Sequence, residues 1–169
     1  MSHSYFKGGL NLDKAIIIDN LSKKYKNSRG IEDINLEIER GEIFGFLGPN
    51  GSGKSTTMKI MVGLMKADKG DVMINGYSIS KNYEQAMKKV GSIIESVTPF
   101  LYLTAYENMK LYGRFHRDVD GVRIDECLEI TGLIKYKNEK VKNYSLGMKQ
   151  RLGIAMAILS NPEILILDE

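Results

Sequence analysis

The sequence predicts an α/β fold, with strands toward both ends of the chain and a block of helices inserted between them. Three observations predict it. Short β-branched or alternating apolar segments occupy the first half and the last few residues. A glycine-rich stretch, GPNGSGKST at residues 48–56, separates an apolar run from an amphipathic one, as a strand–loop–helix unit does. Residues 103–160 carry repeated helix start and stop signals. Hydrophobic residues make up 43% of the 169 and charged residues 27%, enough for one globular core.

The elements follow in order. Residues 1–14 read as a polar leader, without the apolar core of a signal peptide. AIIID (15–19) is β-branched and apolar, a strand. INLEIE (34–39) alternates with period two, a half-exposed strand. EIFGFL (42–47) is expected as the strand that feeds the glycine loop. The helix after the loop shows Met58, Met61, Leu64 and Met65 on one face, at spacings of three and four. DVMI (71–74) is a short strand between turns, NYEQAMKK (82–89) a short helix, and VGSIIE (90–95) another strand.

Thr104 with Glu107 forms a capping box, because hydroxyl and carboxylate can satisfy two orphan backbone donors at a helix start. RIDECLEITGL (123–133) is a second helix with Gly132 at its C-terminus. Ser145 caps a third, LGMKQRLGIAMAIL, which Pro162 keeps from continuing. The last strand, ILIL, runs over 164–167 and closes on Asp168 and Glu169. A buried strand ending in two carboxylates suits phosphate chemistry near a metal.

Composition excludes several classes. A net charge of +3, from 24 basic and 21 acidic residues, is too mild to argue for nucleic acid. No apolar run reaches the ~18 residues that a membrane-spanning helix needs. The single cysteine, Cys127, allows no internal disulfide and reads as a small buried apolar residue on a helix.

The stretch at 48–56 fits G-x-x-x-x-G-K-[ST], so the core is expected to be a P-loop NTPase core. A triphosphate must be drawn out of water, and inward-pointing N–H groups of a glycine-rich turn form its cradle. The candidate nucleotide-binding residues are Gly48, Pro49, Asn50, Gly51, Ser52, Gly53, Lys54, Ser55 and Thr56. Gly51 and Gly53 permit the backbone angles and the close approach. The helix starting near Lys54 aims its positive end at the phosphates. Lys54 would reach the β- and γ-phosphates, and the Ser55 hydroxyl would ligate Mg²⁺. The motif alone leaves the reaction open among kinases, GTPases and ATPases.

Downstream, YSLGMKQRLGIAMAILSNPEILILDE (144–169) resembles the signature segment of ATP-binding cassette (ABC) ATPases running into their Walker B strand. The family pattern is close to L-S-G-G-Q; here Tyr144, Leu146 and Met148 depart from it, while Ser145 and Gly147 keep it. The resemblance covers residues 15–169. It divides them into a β-rich phosphate-loop core (15–102), a helical subdomain (103–160) and the Walker B strand (161–169), together a partial ABC ATP-binding domain with a mixed N-terminal β-subdomain. It implies two such domains closing head to tail on ATP, with Ser145 and Gly147 acting on the neighbour's nucleotide. It implies that Asp168 holds Mg²⁺, that Glu169 is the general base, and that Tyr25 stacks on adenine. Glu95 stands where the family usually has Gln as a Mg²⁺ or water ligand. Glu there, followed by LTAYENMKLYGRF, resembles the bacitracin- and lantibiotic-resistance branch.

The resemblance further implies a separate membrane permease as partner, a location at the inner face of the cell membrane, and no nucleic acid. Family members continue past Walker B to a switch histidine, whereas His3 and His116 both precede Asp168. Two readings follow. One is an ATP-hydrolysing subunit that energises transport, possible drug or antimicrobial-peptide export included. The other is a truncated or regulatory nucleotide-binding module without turnover. A chain that ends at Glu169 is expected to be defective in hydrolysis. Its last strand is expected beside the strand leading into Gly48, with an open apolar edge prone to self-association.

Overall fold

The computed structural model describes residues 13–26, 29–95, 98–116 and 119–168. The leader lies outside the described residues except for Asp13 and Lys14, and Glu169 lies outside them too. The chain forms two compact units, Met1–Met87 and Lys88–Glu169.

The first unit is built on a long central strand, β1 (Lys14–Lys24). β1 pairs antiparallel with β2 (Gly30–Glu39) on one side and β3 (Lys69–Ile74) on the other. β4 (Tyr77–Ser78) completes the order β2-β1-β3-β4. The core side of this sheet is aliphatic: Ile16, Ile18, Leu21, Val72 and Ile74 are buried. β3 and β4 join through Asn75-Gly76, both at positive φ (49° and 80°), with Ile74 facing Tyr77 across the turn. That is the two-residue geometry whose twist matches a hairpin.

α1 (Lys54–Met61) follows the glycine loop and buries Thr57, Ile60 and Met61; α2 (Tyr83–Met87) is a single short helix. Two expectations fail in this unit. The apolar face through Leu64 and Met65 does not form, because α1 has already ended. Gly63 N–H bonds Ile60 O (3.0 Å) and Leu64 N–H bonds Lys59 O (2.8 Å), the paired bonds of a glycine-terminated helix. Leu64 is left 69% exposed. The strand expected over 42–47 is also absent: those residues carry no strand, and Ile43 and Leu47 are almost fully exposed. β-branched composition expresses a preference, but only a ladder partner makes a strand.

Among its described residues, the second unit has two parallel strands and three α-helices. β5 (Val90–Ile93) pairs with β6 (Ile164–Leu167), Val90 opposite Ile164 and Ile93 opposite Leu167. Among the described residues β5 is the partner of β6, in place of the strand expected before Gly48. β6 buries Ile164 and Ile166 and exposes Leu165 and Leu167, so the apolar run alternates rather than being buried throughout.

Between these strands come α3 (Ala105–Gly113), α4 (Gly121–Ile130) and α5 (Leu146–Ala157), with single 3₁₀ turns at Ile134–Tyr136 and Val141–Asn143. They share a core of Met109, Ile124, Cys127, Leu128, Leu133, Val141, Tyr144, Leu152 and Leu159. Cys127 is fully buried there, and burial pushes its thiol pKa up, which suits packing and not nucleophilic attack.

The helix ends read largely as the sequence indicates. In the capping box, Glu107 N–H donates to Thr104 Oγ1 (3.1 Å) and Thr104 N–H to Glu107 Oε2 (2.7 Å). Gly132 closes α4 through Gly132 N–H to Glu129 O and Leu133 N–H to Leu128 O. α4 begins earlier than its apolar pattern suggests, because Asp120 accepts from Arg123 N–H and acts as N-cap. The Arg123 side chain then donates to Ile158 O (2.6 Å) and Leu159 O (3.2 Å), satisfying carbonyls just past the end of α5.

Candidate functional site

The glycine loop is held from below by the first unit. Gly53 is the N-cap of α1 at φ 96°, a conformation L side chains rarely adopt. A β-carbon there would also lie 2.2 Å from Ile31 Cγ2. Ile31, at the start of β2, is itself buried. Position 53 therefore needs glycine twice over, for its dihedral and for its contact. Thr57 fixes the same corner: its N–H (2.9 Å) and its Oγ1 (3.0 Å) both donate to Gly53 O. Gly51 is at φ 84°, and Ser52 N–H closes a turn onto Pro49 O at 3.2 Å.

Lys54 lies back across this loop, donating from Nζ to Gly48 O (2.9 Å) and Pro49 O (3.2 Å). An ammonium has three donors, so a phosphate oxygen can still be met from the same position. A helix start, a turn at positive φ and a lysine at the loop mouth make an anion cradle whose chemistry fits a nucleotide polyphosphate.

Tyr25 closes the other side of α1. Its hydroxyl donates to Met65 Sδ at 3.2 Å and lies 3.4 Å from Thr56 Oγ1. The residue is 39% exposed, and its N–H bonds Arg29 O at 2.8 Å. Tyr25, residues 48–54 and Thr56 therefore share one compact unit, and Ser55 lies on the same helix.

The remaining candidates belong to the second unit. Ser145 is the N-cap of α5 and accepts from Met148 N–H at 3.2 Å. Leu146 is 75% exposed, and a β-carbon on Gly147 would meet nothing within 4 Å. Tyr144 explains its own departure from the family pattern. Its side chain is buried, its hydroxyl donates to Tyr136 O (2.8 Å), and burial raises its pKa. It anchors the segment that presents Ser145.

Asp168 is buried, and its N–H bonds Ile93 O at 2.9 Å, continuing the β5–β6 pairing by one residue. Glu95 sits two residues past β5 at φ 68°, an uncommon backbone region for a non-glycine residue. Both groups are thus carried from the same parallel strand pair. Glu169 lies outside the described residues.

Two supporting residues escape sequence reasoning. Ile31 looks like any strand residue, yet it is the floor under Gly53. Asn108, buried on α3, receives Phe100 N–H at Oδ1 (2.8 Å) and donates to Phe100 O (3.0 Å) and Thr104 O (2.9 Å). It holds the backbone of the segment entering α3. Its position four residues after an N-cap was the available signal, since such a side chain can reach back to the cap carbonyl.

Residues 31–169 match the family model described as ABC transporter. An ABC transporter ATP-binding protein of Bacillus subtilis, YhcH, is 47% identical over 152 residues, covering 90% of this chain and 50% of that protein. The bacitracin transport ATP-binding protein BcrA of Enterococcus faecalis is 42% identical over 158 residues, covering 94% of this chain and 51% of that protein. The chain therefore spans about half the length of these curated relatives. Among solved structures, cbiO1 of Clostridium perfringens, described as part of the ABC transporter complex cbiONQ, is 27% identical with a TM-score of 0.78. That match covers 93% of this chain and 66% of the other.

Proposed function

The chain belongs to the ABC transporter family, and from that premise we propose that it is the ATP-binding part of a subunit that energises transport through a separate membrane permease. The observation that carries this is the loop at residues 48–56: Gly51 and Gly53 at positive φ, α1 starting on Lys54, and Lys54 Nζ lying across the loop mouth. Residues 48–56 hold the phosphates through the backbone N–H groups of all but Pro49, which has none, and through the Lys54 ammonium. Tyr25 supplies a surface for the base. No helix among the described residues is long and apolar enough to cross a membrane.

The described residues hold no group of three or more His, Cys, Asp or Glu suited to a metal ion. Magnesium bound through one or two carboxylates together with a hydroxyl and phosphate oxygens needs no such cluster. Ser55, Asp168 and Glu95 are the residues that would hold it, and when bound it neutralises charge on the transferring phosphoryl group. Glu169 orients the attacking water, and Lys54 stabilises developing charge by position.

Ser145 and Gly147 serve a second ATP-binding domain. The open N-terminal turn of α5, with Leu146 exposed and no neighbour at Gly147, supports a surface completed from outside the chain. The protein would sit at the inner face of the membrane through its permease, and the relation to BcrA, a bacitracin transport ATP-binding protein, supports transport of a bacitracin-like peptide.

A second reading, binding without turnover, has one observation of its own. Residues 43–47, immediately before the loop, lie in no strand. A catalytic loop needs such a supporting shell to hold geometry. Titration calorimetry with Mg-ATP tests the main reading: the chain binds, Lys54→Ala loses at least tenfold in affinity, and absence of binding by the parent chain refutes it. Steady-state hydrolysis abolished by Glu169→Gln would decide against the second reading.

A further inference from the structure

The hydroxyl of Tyr25 has a use that stacking does not require. A thioether sulfur can only accept, so the bond to Met65 at 3.2 Å takes the hydroxyl's single proton. The longer 3.4 Å contact to Thr56 Oγ1 then runs the other way, with the threonine hydroxyl donating to Tyr25 Oη. Both partners belong to the α1 region: Thr56 stands in the first turn of the helix, and Met65 follows its glycine stop. The Met65 backbone is fixed in turn, because its N–H bonds Lys59 O at 3.2 Å. A tyrosine 39% exposed would otherwise sample several side-chain rotamers. Here the end of its ring is tied to the helix that begins at the phosphate loop.

We propose that Met65, assisted by Thr56, is a positioning residue for the nucleotide base, acting through the Tyr25 hydroxyl. The inference rests on the reading of Tyr25 as the base platform. It assigns Met65 no contact with ligand. Its effect is to fix the ring plane before the base arrives, so that the ordering cost is not met on binding. Both hydrogen bonds end on the Tyr25 hydroxyl, so losing the hydroxyl removes both, and losing the sulfur removes the shorter one and leaves the contact to Thr56.

Calorimetric titration of the whole chain separates base from phosphate by using two probes, Mg-ATP and inorganic tripolyphosphate. Tyr25→Phe and Met65→Leu are each expected to weaken ATP about 3- to 10-fold, the scale of one net hydrogen bond. Tripolyphosphate affinity should stay at the parent value in both, which also reports an intact loop. The double variant should lose no more than Tyr25→Phe alone, because without the hydroxyl the sulfur has nothing to hold. Met65→Gln, which restores an acceptor, should recover most of the ATP affinity. The proposal is overturned if Tyr25→Ala weakens ATP while Tyr25→Phe and Met65→Leu do not, or if the single losses add, or if tripolyphosphate weakens in parallel. If Tyr25→Ala leaves ATP affinity unchanged, the base-platform reading itself falls.

Discussion

Gly91→Ala should destabilise the second unit by about 2 kcal/mol. Gly91 lies in β5 opposite Leu165, and α5 closes directly over it. A β-carbon at this position would sit 2.2 Å from Ala157 O, 3.0 Å from Pro162 Cγ and 3.1 Å from Ala157 C. An ordinary carbon contact is about 3.5 Å, so the strand and the end of α5 must part by roughly 1 Å. The obstructing atom is backbone and cannot rotate aside. Overpacking of this kind costs roughly 1–3 kcal/mol, and backbone contact puts it near the top of that range. Replacing glycine returns about 0.5–1 kcal/mol by restricting the unfolded chain, leaving about 2 kcal/mol net.

For a chain of this size, with a urea m-value of about 2 kcal/mol/M, the unfolding midpoint should fall by about 1 M with the slope unchanged. A shift below about 0.2 M would refute the claim that β5 and α5 are in obligatory contact. The same displacement moves Ile93 O, which accepts from Asp168 N–H, so Mg-dependent nucleotide affinity should fall with stability.

Other outcomes follow from single residues. Gly147→Ala meets nothing among the described residues and improves helix propensity, so thermal unfolding should show stability unchanged or raised by up to about 1 kcal/mol. Asn108→Ala removes all three bonds to Phe100 and Thr104; a loss of about 2–3 kcal/mol and faster hydrogen exchange at the Phe100 amide are expected, and unchanged exchange would count against the clamp. Glu107 has its pKa held below the ordinary glutamate value by the Thr104 backbone N–H and then by the Thr104 side chain. A depressed folded pKa stabilises above the unfolded value, so this contribution to α3 is present at neutral pH and is lost as pH falls through the folded value. An NMR titration placing Glu107 at or above an exposed glutamate would contradict the capping box.

The parts legible in the sequence were those whose chemistry is local. The loop at 48–56, the caps at Thr104 and Ser145 and the stop at Gly132 each depend on a few neighbouring residues. The parts that escaped depend on partners distant in sequence. Residues 42–47 have strand composition, but composition supplies no ladder. Leu64 and Met65 continue the apolar period of α1, and only the left-handed Gly63 shows that the helix has stopped. The ILIL run cannot by itself distinguish burial on both faces from the alternation that β6 adopts. Ile31 under Gly53 and Ala157 over Gly91 are invisible without coordinates, because neither residue type advertises a contact with glycine.

The parallel pairing of β5 with β6 has a kinetic consequence. The two strands are separated by the whole of α3, α4 and α5, so their ladder closes only after that intervening stretch has been brought together. Contacts with such long loops form late, because chain entropy must be met before the ladder repays it. The corner at Gly53 relies on shorter separations, to Thr57 and Ile31. During folding the phosphate cradle should therefore become ordered before Asp168 is anchored, and the chain should pass through a stage able to hold polyphosphate without a seated carboxylate. Pulse-labelling hydrogen exchange would show the Asp168 amide protected after that of Thr57; the reverse order would exclude this sequence of events.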